Sequence, residues 1–161
     1  MKQDLYLIIP AGADAGKIPE SFDRFRANEE PQAVLYDPAG HSDAAAQQIV
    51  KTIQEKNIAV IIKDDVEKAL SLSADGVQVA DGKGIKNIRK RIGDLSLGVL
   101  CATRDEAMRA GEAGADYIGF DGEKAAELCR WWSELFTLPC VDFNPDCPSE
   151  SADFRIRVLS C

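Results

Sequence analysis

The sequence has one histidine, no Cys-x-x-Cys pair, no excess of basic residues and no long apolar run. Each shortage removes a class of function. The five cysteines, Cys101, Cys129, Cys140, Cys147 and Cys161, are an odd set at wide spacings. Zinc sites announce themselves by close ligand spacing, so free thiols in a reducing compartment are the simpler reading. His41 lies in a polar turn beside Gly40 and reads as a surface residue; without a second histidine, no Ser-His-Asp or Cys-His set is evident. A net charge of −8 argues against nucleic-acid partners, which call for a basic face, but leaves room for a small anion held by a few local cations. Nothing approaches the roughly 20 apolar residues of a membrane span. The apolar stretch within Met1–Pro10 is too short for a secretory leader and reads as a first strand stopped by Pro10. The expected location is the cytoplasm, with no membrane and no nucleic-acid partner.

What is present is a regular alternation of strand and helix in a length, 161 residues, that fits one domain (1–161) with a sizeable core. The organising stretch is Ile58–Asp81. Ile58-Ala59-Val60-Ile61-Ile62 is a β-branched apolar run, as a strand buried on both faces requires, and Lys63-Asp64-Asp65 ends it with three charges. Val66–Leu72 reads as a helix, Ser73-Ala74-Asp75-Gly76 as a turn and Val77–Ala80 as the next strand. Charges at the carboxyl end of a buried parallel strand stand where α/β folds keep their ligand sites.

Other strands are expected at Leu5–Ile9, Gln32–Tyr36, Leu95–Cys101, Tyr117–Phe120, Leu138–Phe143 and Arg155–Leu159. Helices are expected around Pro19–Arg26, Asp43–Lys56, Ile85–Ile92, Arg104–Ala113 and Glu123–Phe136, with Ser42 and Thr103 as N-caps and Glu106 completing a capping box. On the last helix, Ala126, Cys129, Trp132 and Phe136 share a face, leaving Trp131 for a neighbouring helix or a partner. Ala74-Asp75-Gly76-Val77-Gln78-Val79 is echoed by Ala115-Asp116-Tyr117-Ile118-Gly119-Phe120, two strand–helix units on, as in stacked βα repeats. Eight such strands fit a parallel barrel or an open doubly wound sheet. A barrel of this length is compact: its seventh helix is degenerate, since Asn144–Asp153 has no helical period, and its eighth is absent. Apolar sheet surface is then expected at the seam between strands eight and one, where a homodimer would cover it.

The runs Ala59–Leu70 and Ser73–Val79, Leu97-Gly98-Val99 followed by Glu106-Ala107, and above all Glu112–Phe120 resemble the thiamine phosphate synthase family. The resemblance covers most of Leu5–Phe120, and Trp131-Trp132-Ser133-Glu134 with Pro139-Cys140 is similar to a divergent bacterial branch of it. It implies a (β/α)8 TIM barrel rather than an open sheet. It also implies the joining of a pyrimidine diphosphate to a thiazole phosphate, with release of diphosphate and Mg2+ at that group. Such chemistry needs cations and a metal on the leaving group.

Position by position, much of the implied site is replaced. The family's Asn-Asp pair after strand three is Lys63-Asp64, which keeps Asp64 as a candidate metal ligand. Its Gly-Gln-x-Asp after strand four is Ala80-Asp81-Gly82-Lys83, with Lys83 in the place of the second ligand and Asp81 as the nearby carboxylate. A histidine within strand four of many members is Gln78, and the Gln-x-Arg-x-Lys after strand two has no counterpart in Val34–Pro38. The Gly-Pro-x-Phe-x-Thr loop after strand six is missing, and the Gly-Gly turn after strand seven is Phe143-Asn144. The Val-Ser after strand eight is echoed by Leu159-Ser160. Candidate phosphate-binding residues are therefore Lys63, Lys83, Gly119 and Ser160, and candidate Mg2+ ligands Asp64 and Asp81. Two function classes follow: a thiamine phosphate synthase with an altered site, or a non-catalytic relative that binds a phosphorylated ligand or a partner.

Overall fold

The structure, a computed structural model, describes residues 3–80, 82–146 and 149–161. Its elements are β1 Asp4–Ile9, α1 Ile18–Arg26, β2 Ala33–Tyr36, α2 Asp43–Gln54, β3 Ala59–Lys63, α3 Val66–Ser71, β4 Gly76–Ala80, α4 Ile85–Ile92, β5 Ser96–Cys101, α5 Arg104–Ala113, β6 Tyr117–Phe120, α6 Ala125–Leu135, β7 Cys140–Asp142 and β8 Phe154–Val158. Every strand pairs in parallel with the next, and β8 pairs with β1, so the sheet closes into a barrel. No helix of the described residues lies between β7 and β8 or after β8, and none is long and apolar enough to cross a membrane.

Strand alternation sorts the side chains into two cores. Leu7, Val34, Val60, Val77, Leu97 and Ile118 point outward and are buried under the helices, whose apolar stripes supply Phe22, Ile49, Ile53 and Trp132. Tyr6, Leu35, Ile61 and Val141 point inward. The caps form as their residue types require: Ser42 Oγ accepts from Ala45 N at 3.1 Å and Thr103 Oγ1 from Glu106 N at 3.2 Å. The Glu106 carboxylate reaches back to Ala102 N, one residue before the N-cap, at 2.8 Å. On α6 the buried face is Ala125, Leu128, Cys129 and Trp132. Ala126 and Phe136 lie at its margin, where Phe136 stacks on Trp132 with ring centroids 4.1 Å apart. Trp131 turns toward α5, with the Arg104 guanidinium 5.2 Å from its ring centre.

The Ala-Asp echo is the visible part of a device repeated around the amino-terminal rim. Asp75, just before β4, donates its N–H to Val60 O (2.8 Å), and its carboxylate accepts from Val60 N (2.8 Å). Asp116, before β6, does the same to Leu97 (2.7 and 2.8 Å). Asp153, before β8, does it to Cys140 (3.0 and 2.9 Å). Gln32, before β2, holds Leu5 through the same two bonds (3.0 and 2.5 Å). Each preceding residue, Pro31, Ala74, Ala115 or Ala152, is buried. An even strand thus begins by clasping one buried residue on the odd strand before it, which satisfies an N–H that has no water to turn to.

Between β7 and β8, described residues of the connection are tied back to the end of β7. Asp142, fully buried, accepts from Asn144 N (2.8 Å) and Ser149 N (2.7 Å), so it caps the loop that stands in for the helix. Among the described residues, the apolar seam expected on the outer face between strands eight and one is not found. The outward residues of β8 are Arg155 and Arg157, which pair with Glu29 at 3.3 and 3.6 Å. Arginine stems can cover sheet surface while their heads stay in water, and this removes the reason given for a homodimer at that place.

The barrel axis carries a short polar chain. The Tyr6 and Tyr117 hydroxyls are 2.7 Å apart, and Tyr117 donates to Gln78 Oε1 at 2.7 Å. Gly98 makes room for it: a Cβ there would lie 2.0 Å from Tyr117 Cζ. Burial holds both phenols well above their ordinary value. Tyr36, buried and next to Asp37, is pushed up to about 12.

Two outcomes follow. Asp153→Ala leaves the buried Cys140 N–H without its acceptor and should cost about 1–3 kcal/mol, whereas Asp153→Asn keeps an acceptor and most of the stability; urea unfolding measures both. In the unfolded chain the three phenols ionise near 10.0, and in the folded chain all are higher. Stability should therefore be complete below pH 10 and fall as the pH rises from 10 toward 12, with phenolate absorbance appearing together with loss of circular dichroism.

Candidate functional site

A parallel barrel turns its inward side chains toward the axis, and at the carboxyl ends of the strands they face the mouth. There a cavity of about 510 Å³ opens, with an apolar floor that includes Ile8, Leu35, Leu100, Phe143 and Ile156. Among the described residues, four polar ones line it: Asp37 after β2, Lys63 at the end of β3, Gln78 on β4 and Asp121 after β6. Lys63 and Gln78 are register partners on adjacent strands, so their side chains leave the sheet side by side, on the same face. The Lys63 ammonium has no ion-pair or hydrogen-bond partner among the described residues. Gln78 is 3% exposed, with its carbonyl engaged by Tyr117. Asp37 Oδ1 accepts from Ala39 N at 3.1 Å.

The other sequence-derived candidates lie elsewhere. Asp64 follows Lys63 and so has the opposite strand parity. Its φ of 58° turns the chain out of the sheet, its N–H donates to Gln78 O at 2.7 Å, and it is exposed outside the lining of the mouth. Lys83 is exposed in the β4–α4 loop between Gly82 and Gly84 and does not line the mouth. Asp81 lies outside the described residues. Gly119 does face inward, but Phe143 lies against it: a Cβ at Gly119 would be 2.4 Å from Phe143 Cε2. The backbone there touches a ring and forms no open cradle for a phosphate. Ser160, beyond the end of β8, is exposed and also outside the lining. The fold therefore brings Lys63 together with Gln78, Asp37 and Asp121, not with Lys83, Gly119 or Ser160. Gln78, which the family comparison set in the place of a histidine without making it a candidate, carried a further signal in the sequence: it has the inward parity of β4, shared with Gly76 and Ala80. Asp37 and Asp121 each directly follow a strand, the position from which side chains reach a barrel mouth.

The family's Mg2+ can be tested against the donor set. Magnesium takes oxygen ligands in near-octahedral order and is bound through carboxylates and substrate phosphates. Among the described residues no group of three or more His, Cys, Asp or Glu could hold a metal ion. Asp64 stands off the mouth, and the cavity's carboxylates share it with the Lys63 ammonium. These residues do not fit a magnesium site. Among the described thiols, Cys101, Cys129 and Cys140 are buried and Cys161 is exposed outside the lining of the mouth; burial, with Glu106 nearby, pushes Cys101 up to about 12. His41 is a tie between loops: its Nε2 faces Ala13 O at 2.6 Å and its Nδ1 the Tyr36 hydroxyl at 2.5 Å. A carbonyl only accepts, so in the neutral ring Nε2 carries the proton and Nδ1 accepts from Tyr36.

Comparison with known proteins agrees with this architecture. The sequence profile described as "Thiamine monophosphate synthase" matches residues 5–123. A thiamine-phosphate synthase of Erythrobacter litoralis is 33% identical over 161 aligned positions, covering 85% of this chain and 74% of that protein. One from Bacillus licheniformis is 42% identical over 96, covering 59% of this chain and 42% of the relative, so the chain spans well under the full length of that protein. In fold, a thiamine phosphate pyrophosphorylase from Pyrococcus furiosus superposes with a TM-score of 0.75 at 20% identity, over 96% of this chain and 85% of that one. With its closed eight-stranded barrel, its mouth at the carboxyl ends and a profile match from the first strand past the sixth, the chain belongs to the thiamine monophosphate synthase family.

Proposed function

We propose that this barrel serves thiamine biosynthesis by binding one small phosphorylated ligand at its mouth, without joining two. The observation that carries the reading is Lys63: an ammonium without an ion-pair or hydrogen-bond partner among the described residues, set over an apolar floor in a cavity of about 510 Å³. That volume is in the range of small-molecule sites, roughly 300–1,000 Å³. A phosphate against Lys63 and Gln78, with the ligand's ring over Phe143 and Leu35, uses each group for what it does best. Asp37 and Asp121 suit an amino substituent or a cationic ring and oppose a second phosphate.

Joining a pyrimidine diphosphate to a thiazole phosphate is more demanding. It places several negative charges together and a further one on the leaving group, which must be met by fixed donors and a metal. The mouth offers one lysine and one amide among the described residues, and Phe143 occupies the close approach at Gly119. Binding is supported; the second grip is not. One observation favours the alternative, a synthase with a rebuilt site: Asp64 is retained at the end of β3, and the profile match covers the first six strands.

The two readings differ in stoichiometry. Calorimetric titration with each precursor, alone and together, should give one site for which the two compete. Lys63→Ala should weaken binding about tenfold or more, the weight of a charge-assisted hydrogen bond. Simultaneous binding of both precursors would favour the synthase, and no binding of either would end the ligand reading.

A further inference from the structure

Gln78 lines the mouth with one end and meets Tyr117 with the other, so which end faces which decides what the mouth recognises. Either orientation of an amide can hydrogen-bond a hydroxyl, and the choice follows from counting protons. With the carbonyl toward Tyr117, the Tyr117 hydroxyl donates to Gln78 Oε1 and the Tyr6 hydroxyl donates to Tyr117. Both phenolic hydrogens are then used. With the amide turned round, Gln78 donates to Tyr117, Tyr117 must donate to Tyr6, and the Tyr6 hydrogen has no acceptor among the described residues. Tyr6 is 2% exposed, and an orphaned buried donor costs about 1–3 kcal/mol. The phenols hold these protons throughout the working pH range, because burial raises them both.

We propose that Tyr117, inside the barrel and outside the lining of the mouth, is a positioning residue that locks the Gln78 amide with its NH2 toward the mouth, making the Lys63–Gln78 pair a donor-only recognition edge for an anionic oxygen. The proposal rests on the phosphorylated-ligand reading of the mouth and adds the element that sets its selectivity. A ligand presenting a phosphate or carboxylate oxygen satisfies both neighbours at once. A ligand presenting N–H or ammonium at that place meets two donors and is rejected. The rule is independent of the rest of the ligand, so it applies to either half of the family's substrates.

Two conservative variants separate positioning from packing. Tyr117→Phe keeps the ring over Gly98 but frees the amide to turn. Tyr6→Phe removes the neighbouring hydroxyl yet leaves Tyr117 with one proton and one acceptor, so the carbonyl-down orientation is still the satisfied one. With inorganic diphosphate as the probe, Tyr117→Phe should weaken binding about three- to tenfold, one hydrogen bond's worth, while Tyr6→Phe stays within about twofold on the same ground. Equal losses in both variants, or none in either, overturn the proposal. The Gln78 side-chain amide signals, assigned with Gln78→Met, give a ligand-free readout. Rapid NH2 exchange with water in the wild type and in Tyr6→Phe is expected; protection of those protons means they bond Tyr117 and overturns the orientation. If diphosphate does not bind the wild type while exchange is rapid, the ligand reading has failed and the amide orientation has not.

Discussion

Closure of a short parallel barrel depends on keeping register at a rim where no helix can help. The four clasps made by Gln32, Asp75, Asp116 and Asp153 supply that register. Each binds both backbone groups of one outward, buried residue on the strand before it, so a slip by one residue would break a pair of bonds and turn an apolar side chain into the barrel. Because β6 has four residues and β7 three, there is little ladder to fall back on. The clasps come every second strand, so the ring is held as four two-strand units, and the connection inside a unit is left free to vary. The missing α7 is an instance: Asp153 still clasps Cys140 although a loop, not a helix, leads to it.

Fixing the lower rim leaves the upper one to specialise. Parity carries the inward set up each strand, so that Lys63 and Gln78 reach the mouth together while Asp64, one residue on, does not. The same logic accounts for the interior. Glycines at 98 and 119 admit the rings of Tyr117 and Phe143, and those rings do different work. Tyr117 sets the orientation of an amide above it, and Phe143 closes a place where bare backbone would otherwise approach a ligand. Among the described residues, the mouth of this family barrel thus combines an apolar floor with one cation, Lys63.

Most of the frame was legible in the sequence because apolar runs of β-branched residues and capped helices have short-range causes. The Ala-Asp echo was legible too, but only as two copies. Ala152-Asp153 escaped because no helical period precedes it, and Pro31-Gln32 because a different side chain makes the same bonds. The seam was misjudged for a physical reason: an uncovered strand need not be apolar, and Arg155 and Arg157 shield β8 with their stems and pair with Glu29, remote in sequence. Site residues were legible by chemistry but not by direction. Matching positions to the family's pattern found Lys63 alongside Lys83, Gly119 and Ser160. Only three-dimensional parity tells that the first faces the mouth with Gln78, Asp37 and Asp121 and that Gly119 is already occupied.

The central claim is that the mouth has one grip for a phosphorylated ligand and none for a second. Its most direct test is turnover: the purified protein with hydroxymethylpyrimidine diphosphate, thiazole phosphate and Mg2+, followed for thiamine phosphate over hours at high protein concentration. The account predicts no product above the protein-free control, even where each precursor binds alone. Sustained formation of thiamine phosphate with stoichiometric diphosphate, abolished by Asp64→Ala, would contradict it.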